Sequence, residues 1–207
     1  MAEERLSLFP LKVVLFPGSA LPLHIFEERY KTLINECIRE EGTEFGINLK
    51  NDDQLKRVGC SAVVREMMQR YEDGRMDIIV EGRRRYELHS LDEKSAPYAV
   101  GRVTFFTNEP YDVDIALADR TARLYNSLIQ IVYEEKLPKL LLDALARNVS
   151  YVIAQKSGLT LAQRQDLLEM QSENQRLMKL FDYLMTVLPK LHQLQEVQRI
   201  VGNDGYV

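Results

Sequence analysis

Two cysteines, three histidines and no tryptophan leave this chain short of the residues that most readily announce a chemistry. Cys37 and Cys60 are too few for the disulfide framework of a small secreted protein, and their separation is not the spacing of a zinc site. Cys37 lies on the apolar face of the first predicted helix and Cys60 in an apolar strand run, so buried, reduced thiols are expected. Long hydrophobic runs are also missing. The start, Met1-Ala2-Glu3-Glu4-Arg5, is polar, and the first apolar stretch is broken by Pro10 and Lys12, which argues against a signal peptide and a spanning helix. A cytoplasmic protein with no membrane partner is expected.

Neither sign of charge dominates. The formal net charge is −4, and residues 1–111 hold 16 Lys and Arg against 19 Asp and Glu, leaving 11 against 12 in the remainder. A nucleic-acid binder draws most of its affinity from phosphate neutralisation and shows a basic domain or stripe, so nucleic acid is a disfavoured partner. Hydrophobic residues at 45% and charged residues at 28% are ordinary for a globular chain, and 207 residues suffice for one large domain or two small ones.

Catalytic motifs are missing as well. No segment fits G-x-x-x-x-G-K-[ST]: Gly42 and Gly46 stand too close and lack the lysine, and Gly158 is followed by Leu159-Thr160-Leu161. Ser19 follows Gly18 in a proline-bounded turn and Ser157 precedes Gly158 at a helix end, so neither sits on a nucleophile elbow. His24, Glu27 and Glu28 form the one cluster with ligand chemistry. Their order is not H-E-x-x-H, and Glu27 and Glu28 are accounted for by the first turn of a helix, where acids complement the dipole. No metal and no cofactor are expected.

What is present begins with Phe9-Pro10-Leu11-Lys12-Val13-Val14-Leu15-Phe16-Pro17-Gly18-Ser19-Ala20-Leu21-Pro22-Leu23-His24-Ile25-Phe26-Glu27-Glu28-Arg29-Tyr30. Its prolines punctuate a short strand over Lys12–Phe16, closed by the Pro17-Gly18 turn. The spacing of Phe26, Tyr30, Leu33, Ile34, Cys37 and Ile38 predicts a helix stopped at Gly42. Strand-like runs follow at Phe45–Leu49, Gly59–Val64, Met76–Glu81, Arg85–Leu91 and Tyr98–Phe106, with a hairpin turn at Glu72-Asp73-Gly74. Six or seven short strands and one helix suit a small mixed sheet curling into a pseudo-barrel. Asn108-Glu109-Pro110-Tyr111 marks the change to helices over Ile115–Val132, over Leu140–Ile153 with Pro138 before it, from Thr160 to near Met170, and onward from a capping box at Ser172-Glu173-Asn174-Gln175. The last carries Leu177, Phe181, Leu184 and Leu188 on one face. Pro189 is expected to kink or break it before Leu191, Leu194 and Val197 continue the stripe, and the tail Gly202–Val207 is expected to fray. The fold class is therefore α+β, with a β domain at residues 1–110 and a helical bundle at 111–207.

These fragments occur in a specific order: Pro-Leu, Phe-Pro-Gly, Pro-Leu and Ile-Phe-Glu-Glu-Arg-Tyr, then Val58-Gly59-Cys60, Asp73-Gly74-Arg75, Ile78-Ile79-Val80-Glu81-Gly82, Arg85-Tyr86 and Pro97-Tyr98. Gln165-Asp166-Leu167-Leu168-Glu169, Arg176-Leu177 and Tyr183-Leu184 complete it. Over residues 6–188 the chain resembles the amino-terminal substrate-binding domain of the Lon protease family. The resemblance implies a PUA-like β fold and a non-enzymatic module that recognises unfolded or hydrophobic polypeptide segments. The phosphate loop and the serine–lysine dyad of a complete Lon protease are not found, so a stand-alone substrate-binding domain is expected.

Several residues carry two readings. Val14, Leu23, Phe26 and Tyr30 read as core, while Leu21 and Ile25 fit either core or a surface loop that meets hydrophobic segments. Met67 and Met68, beside Tyr71, read first as packing and second as adaptable contacts. Leu21, Ile25, Met67 and Met68 are thus the candidate peptide-binding set. Arg83-Arg84-Arg85 invites an RNA reading, but Glu81 and Glu87 flank it, alternate residues of a strand face opposite sides, and no aromatic platform accompanies it. The resemblance implies a structural role for Arg85. The alternatives are an RNA-binding PUA-like protein, and a regulatory subunit that docks on a protease or another complex through its C-terminal helices.

Overall fold

A computed structural model describes residues 3–51, 54–106, 113–133, 136–141 and 148–203. The elements run β1 (Glu4–Leu8), β2 (Ala20–Ile25), α1 (Glu28–Arg39), β3 (Phe45–Asn51), β4 (Gln54–Arg70), β5 (Met76–Asp92), β6 (Ala99–Phe105), α2 (Ile115–Tyr133), α3 (Val149–Lys156), α4 (Leu161–Glu169) and α5 (Glu173–Asn203). They form two compact units, one of residues 1–108 with 160–169 and one of residues 109–159 with 170–207. The α+β pseudo-barrel expected from the pattern is present. The helix switch at Asn108–Tyr111, and Leu142 and Leu145 of the second expected helix, lie outside the described residues, as do the last four of the tail.

In the first unit the strands are ordered β2-β5-β4-β3-β1-β6, and β6 also pairs with β5, which closes a five-stranded ring. β5 makes this possible by changing partners along its length. Residues Met76–Glu81 pair with β2, and Tyr86–Asp92 pair with β6. Sequence periodicity predicts two strands here because Gly82 and the arginines read as a break, but the chain stays extended through them. β4 spans the same length beside it, with bulges at Cys60/Ala62, Val64/Glu66 and Met67/Gln69 that bend the pair.

Leu6, Leu8, Tyr86, Leu88 and Val103 fill the barrel. Inside it the Tyr86 hydroxyl donates to Asn48 Oδ1, and Asn48 Nδ2 donates to the Lys56 carbonyl at 3.0 Å. Burial holds the Tyr86 phenol well above its ordinary value. A Cβ at Gly59 would stand 2.6 Å from Tyr86 Cζ, and one at Gly46 2.8 Å from it, so the ring occupies the space that side chains of β3 and β4 would need. Burial pushes the Cys37 thiol up to about 11 and the Cys60 thiol up to about 12, and neither is a nucleophile near neutral pH.

Three expectations near the amino terminus are corrected. The first strand is β1, not Lys12–Phe16. In that stretch, only the neighbouring Leu11 makes a bridge, to Leu49, while Val14, Leu15 and Phe16 are buried without strand pairing. Ala20–Ile25 is a strand despite Pro22, which an edge strand tolerates. Helix α1 starts at Glu28, not Phe26. Glu27 takes an extended conformation at the N-cap, which leaves Phe26 ahead of the helix and 61% exposed. Tyr30, Leu33, Ile34 and Cys37 are its buried face, as the spacing predicts, but Ile38, expected on the same face, is 37% exposed, and Gly42 follows with φ +87°.

Helix α4 packs with the strands of the first unit. It opens on a reciprocal capping box: Thr160 N–H donates to Gln163 Oε1 at 2.9 Å, and Gln163 N–H donates to Thr160 Oγ1 at 3.3 Å. Gln165 Nε2 then donates to the Val58 carbonyl of β4 at 3.0 Å, and Leu167 and Leu168 are buried.

In the second unit α2, α3 and α5 bury Leu117, Tyr125, Leu128, Ile153, Leu177 and Leu184 among them. Leu140 and Leu141 are not helical, contrary to the predicted helix over Leu140–Ile153, and Pro138 starts no helix. The side-chain amide of Asn126 brackets the Leu140 backbone, accepting from its N–H at 2.8 Å and donating to its carbonyl at 3.0 Å, which offers that backbone a partner outside a helix. At the start of α5, Gln175 N–H reaches Ser172 Oγ at 3.5 Å. Glu173 serves a buried network instead: Ser150 N–H and Oγ donate to its carboxylate at 2.9 and 2.7 Å, and Arg176 Nη2 lies 2.7 Å from Oε2. Arg176 Nη1 donates to the carbonyls of Met170 and Gln171. Pro189 does not break α5. The helix continues through it to Asn203, and its missing N–H leaves only the Met185 carbonyl without its i→i−4 partner.

Leu184→Ala is expected to cost about 2–5 kcal/mol in urea melts through the cavity it leaves, whereas Phe26→Ala should stay within about 0.5 kcal/mol because the ring is exposed. Tyr86→Phe removes the hydroxyl that satisfies buried Asn48 Oδ1 and should cost about 1–3 kcal/mol by the same measurement.

Candidate functional site

β2 pairs antiparallel with the first half of β5, with Leu21 opposite Val80, Leu23 opposite Ile78, His24 opposite Asp77 and Ile25 opposite Met76. Period-two alternation turns Leu21, Leu23 and Ile25 toward the buried face that carries Val80, Ile78 and Met76. Ala20, Pro22 and His24 are exposed on the other. The hairpin between β4 and β5 turns at Tyr71–Arg75: Tyr71 N–H donates to the Arg75 carbonyl at 2.9 Å, and Gly74 takes φ +81°. Lys31 of α1 ties this turn down, donating to Glu28 Oε1 at 2.8 Å and to the Asp73 carbonyl at 3.0 Å.

Across this overhang runs a strip of rings. The His24 imidazole lies 6.0 Å from the Phe26 ring in a stacked arrangement and 6.1 Å edge-on from Tyr71, and the Arg75 guanidinium stands 5.1 Å over Tyr71. Asp77 fixes two of the three rings from beneath. Its Oδ1 lies 2.6 Å from His24 Nδ1, and its Oδ2 accepts from the Tyr71 hydroxyl at 2.7 Å. These hydrogen bonds, the His24 one first, hold the Asp77 carboxyl below the usual carboxylate range, while the bond to Asp77 raises the Tyr71 phenol. Met68 is 57% exposed at the bulge between Met67 and Gln69, whose strand partners are Ile78 and Asp77.

The candidate set divides on this frame. Ile25 is 1% exposed and packs inward, so it is a core residue and not part of a surface loop. Leu21 is half-buried on the inward face of β2, and Met67 is half-buried opposite Ile78. Met68 alone of the four is exposed. Helical periodicity draws Phe26 onto the α1 face because it stands four residues before Tyr30; the Glu27-Glu28 pair, suited to a first helical turn, marks where the helix begins.

His24, Glu27 and Glu28 do not converge. His24 turns to Asp77, Glu27 pairs with Arg29 at 2.8 Å and Glu28 with Lys31 at 2.8 Å, and no group of three ligating side chains occurs among the described residues. The three arginines diverge too. Arg83 Nη1 donates to Glu81 at 3.1 Å, Arg84 meets Glu44 at 3.2 Å and lies 3.6 Å over the Phe105 ring, and Arg85 donates to the Leu168 carbonyl of α4 at 2.9 Å. They make no stripe for a phosphate backbone. Among the described residues no helix is long and apolar enough to cross a membrane.

The first unit is thus a closed barrel with an overhanging hairpin that displays rings and a methionine. The family model of the ATP-dependent protease La (LON) substrate-binding domain matches residues 5–186, and the chain belongs to that family. Among its relatives, Lon protease of Parabacteroides distasonis is 29% identical over 143 residues, covering 62% of this chain and 16% of that protein. Lon protease 1 of Hydrogenovibrio crunogenus is 24% identical over 207 residues, covering 91% of this chain and 24% of that protein. The chain thus spans about a quarter or less of the length of these curated relatives. Two solved structures share the fold. The Lon N-terminal domain protein from Xanthomonas campestris has a TM-score of 0.67 at 24% identity, covering 87% of this chain and 98% of that one. The N-terminal domain of the Mycobacterium avium complex Lon protease also has a TM-score of 0.67, at 20% identity, covering 88% and 98%.

Because folding lowers the Asp77 carboxyl, its bonds favour the folded state above the ordinary carboxylate value of about 3.9, and that contribution is lost as pH falls through the lowered one. Asp77→Asn should therefore flatten the fall in melting temperature below about pH 4. An acid limb identical to that of the parent protein would show that the His24–Asp77–Tyr71 bonds do not persist in solution.

Proposed function

We propose that this domain binds unfolded or hydrophobic segments of other polypeptides in the cytoplasm and does not itself cleave them. The observation that carries the reading is the ring strip Phe26–His24–Tyr71, in which Phe26 and His24 are exposed and Tyr71 half-buried, with Met68 beside it, on a Lon substrate-binding fold. Exposed rings offer large contact area at low conformational cost, and a methionine adapts to varied partners. The sequence carries neither a phosphate loop nor an activated nucleophile, which supports a non-catalytic role.

A second reading, docking on a larger protease or complex, rests on α5, which leaves Met178, Met185, Leu194 and Val197 exposed. The RNA reading has no such support, since Arg83 and Arg84 are paired with glutamates and Arg85 with a carbonyl.

Titration of labelled, unfolded casein should show binding that persists from low to moderately high salt, because apolar contacts are screened little. Phe26→Asp with Met68→Asp should weaken it by about tenfold or more while the melting temperature is kept, as both side chains are exposed. Loss of casein binding in a Met178→Asp, Met185→Asp variant alone would move the site to α5. Tight RNA binding that falls by about three decades over the salt series would replace the reading altogether.

A further inference from the structure

β2 is the outermost strand of its sheet. It pairs with β5 on one side, and among the described residues no strand pairs with its other edge. The Gly82 N–H donates to the Ser19 carbonyl at 2.9 Å, which sets the phase of the ladder. The backbone groups of Leu21, Leu23 and Ile25 turn toward β5, and those of Ala20, Pro22 and His24 turn away from it. The side chains of those last three are exposed as well. The open edge therefore offers three carbonyls and two N–H donors, with a gap in the middle where Pro22 has none. Phe26, exposed, follows at the end of the row.

We propose that an extended segment of another polypeptide adds to this edge as a further strand. The inference rests on the polypeptide-binding reading and states how the segment is held. Main-chain bonds along Ala20, Pro22 and His24 are available to any sequence, and Phe26 adds contact with side chains of the bound strand. Pro22 decides between the two possible occupants. If two copies of this chain paired edge to edge about Pro22, proline would face proline and both central bonds would be lost. A foreign strand loses only one. The gap thus disfavours self-pairing more than it disfavours capture, in keeping with prolines on edge strands elsewhere.

The test uses the full chain and a fluorescein-labelled octapeptide of alternating valine and threonine with terminal lysines, read by anisotropy. Two N-methylated versions block alternate N–H groups, one in each phase. Strand addition predicts that one phase weakens binding by about tenfold or more and the other changes it little, since only one row of donors faces the edge. Pro22→Ala should tighten the unmodified peptide severalfold by restoring the central donor. Equal effects of the two phases, or no gain from Pro22→Ala, would overturn strand addition. The polypeptide-binding reading would then stand or fall separately on the Phe26→Asp, Met68→Asp result with casein. Sedimentation of the parent protein as a dimer that the peptide dissociates would instead make a second copy the occupant and overturn the proposal.

Discussion

The Tyr86 hydroxyl inside the closed barrel sets the terms for the strands around it. Its acceptor, Asn48, belongs to β3 and is itself anchored to the Lys56 carbonyl in β4, so one phenol links three strands through a buried polar chain. A buried amide left unpaired costs more than the bond contributes when made, which makes the arrangement specific as well as stabilising. The ring also dictates sequence at a distance. Gly46 and Gly59 have no room for a Cβ against it, and Gly101 is hemmed in the same way by Leu88 and Leu8. Once Tyr86 is fixed, the register of β5 against β4 is fixed, and the remainder of both strands must extend out of the barrel as a long hairpin. That overhang carries β2 and the ring strip.

The short motifs shared with the Lon substrate-binding family acquire separate jobs in this frame. Gly59 of Val-Gly-Cys makes way for Tyr86, and Arg85, beside that tyrosine in the chain, reaches outward to the Leu168 carbonyl near the end of α4, where a cation meets the negative end of the helix dipole. The helix answers through Gln165, which donates to the Val58 carbonyl of β4. Gln-x-Leu-Leu-Glu is thus a docking motif: an amide for the strand, two leucines for the core, and a glutamate that accepts from the same Gln165 at 2.9 Å. In the second unit the buried Glu173–Arg176 pair is fully furnished with partners from Ser150, Met170 and Gln171. Such a pair is poor evidence of net stability but leaves an uncompensated charge when either half is removed.

Legibility in the sequence followed how far each element obeys a local rule. Tyr30 to Cys37 of α1, the Glu72-Asp73-Gly74 turn, Leu117, Tyr125, Leu128 and Ile129 of α2 and Leu177, Leu184 and Leu188 of α5 are legible because periodicity and turn chemistry act over a few residues. Ile38, Val132, Leu194 and Val197, on the same periods, lie toward the ends of their helices and are exposed. β1 and β2 were hidden because short strands next to prolines resemble loops, and only pairing with distant strands shows that Pro22 sits where its missing N–H is not needed. The unity of β5 was hidden for a related reason: Gly82 and three arginines read as a break, whereas the strand is changing partners. Met68 was within reach, but the same periodicity that found α1 pulled Phe26 into the core. The His24–Asp77–Tyr71 bonds join residues 53 and 6 positions apart, and no spacing rule connects them.

The position of Pro22 bears on how such a domain can hold strands without becoming part of one. An open edge with a full row of donors is a template for its own kind, and self-pairing at high local concentration grows into aggregation. Covering the edge would remove that hazard and the binding capacity with it. A single proline at the centre weakens every added strand by one bond, on the order of 1 kcal/mol, and a symmetric copy by two. In the proposed complex the exposed Phe26 at the end of the row would restore contact for a foreign segment that carries an apolar side chain there. Affinity then depends on a main chain that is free to extend and a side chain that is free to bury, both of which a folded protein has already committed elsewhere. On the proposed strand addition, discrimination of unfolded from folded polypeptides would follow from the geometry of one edge strand, with no need for a deep pocket or a charged groove.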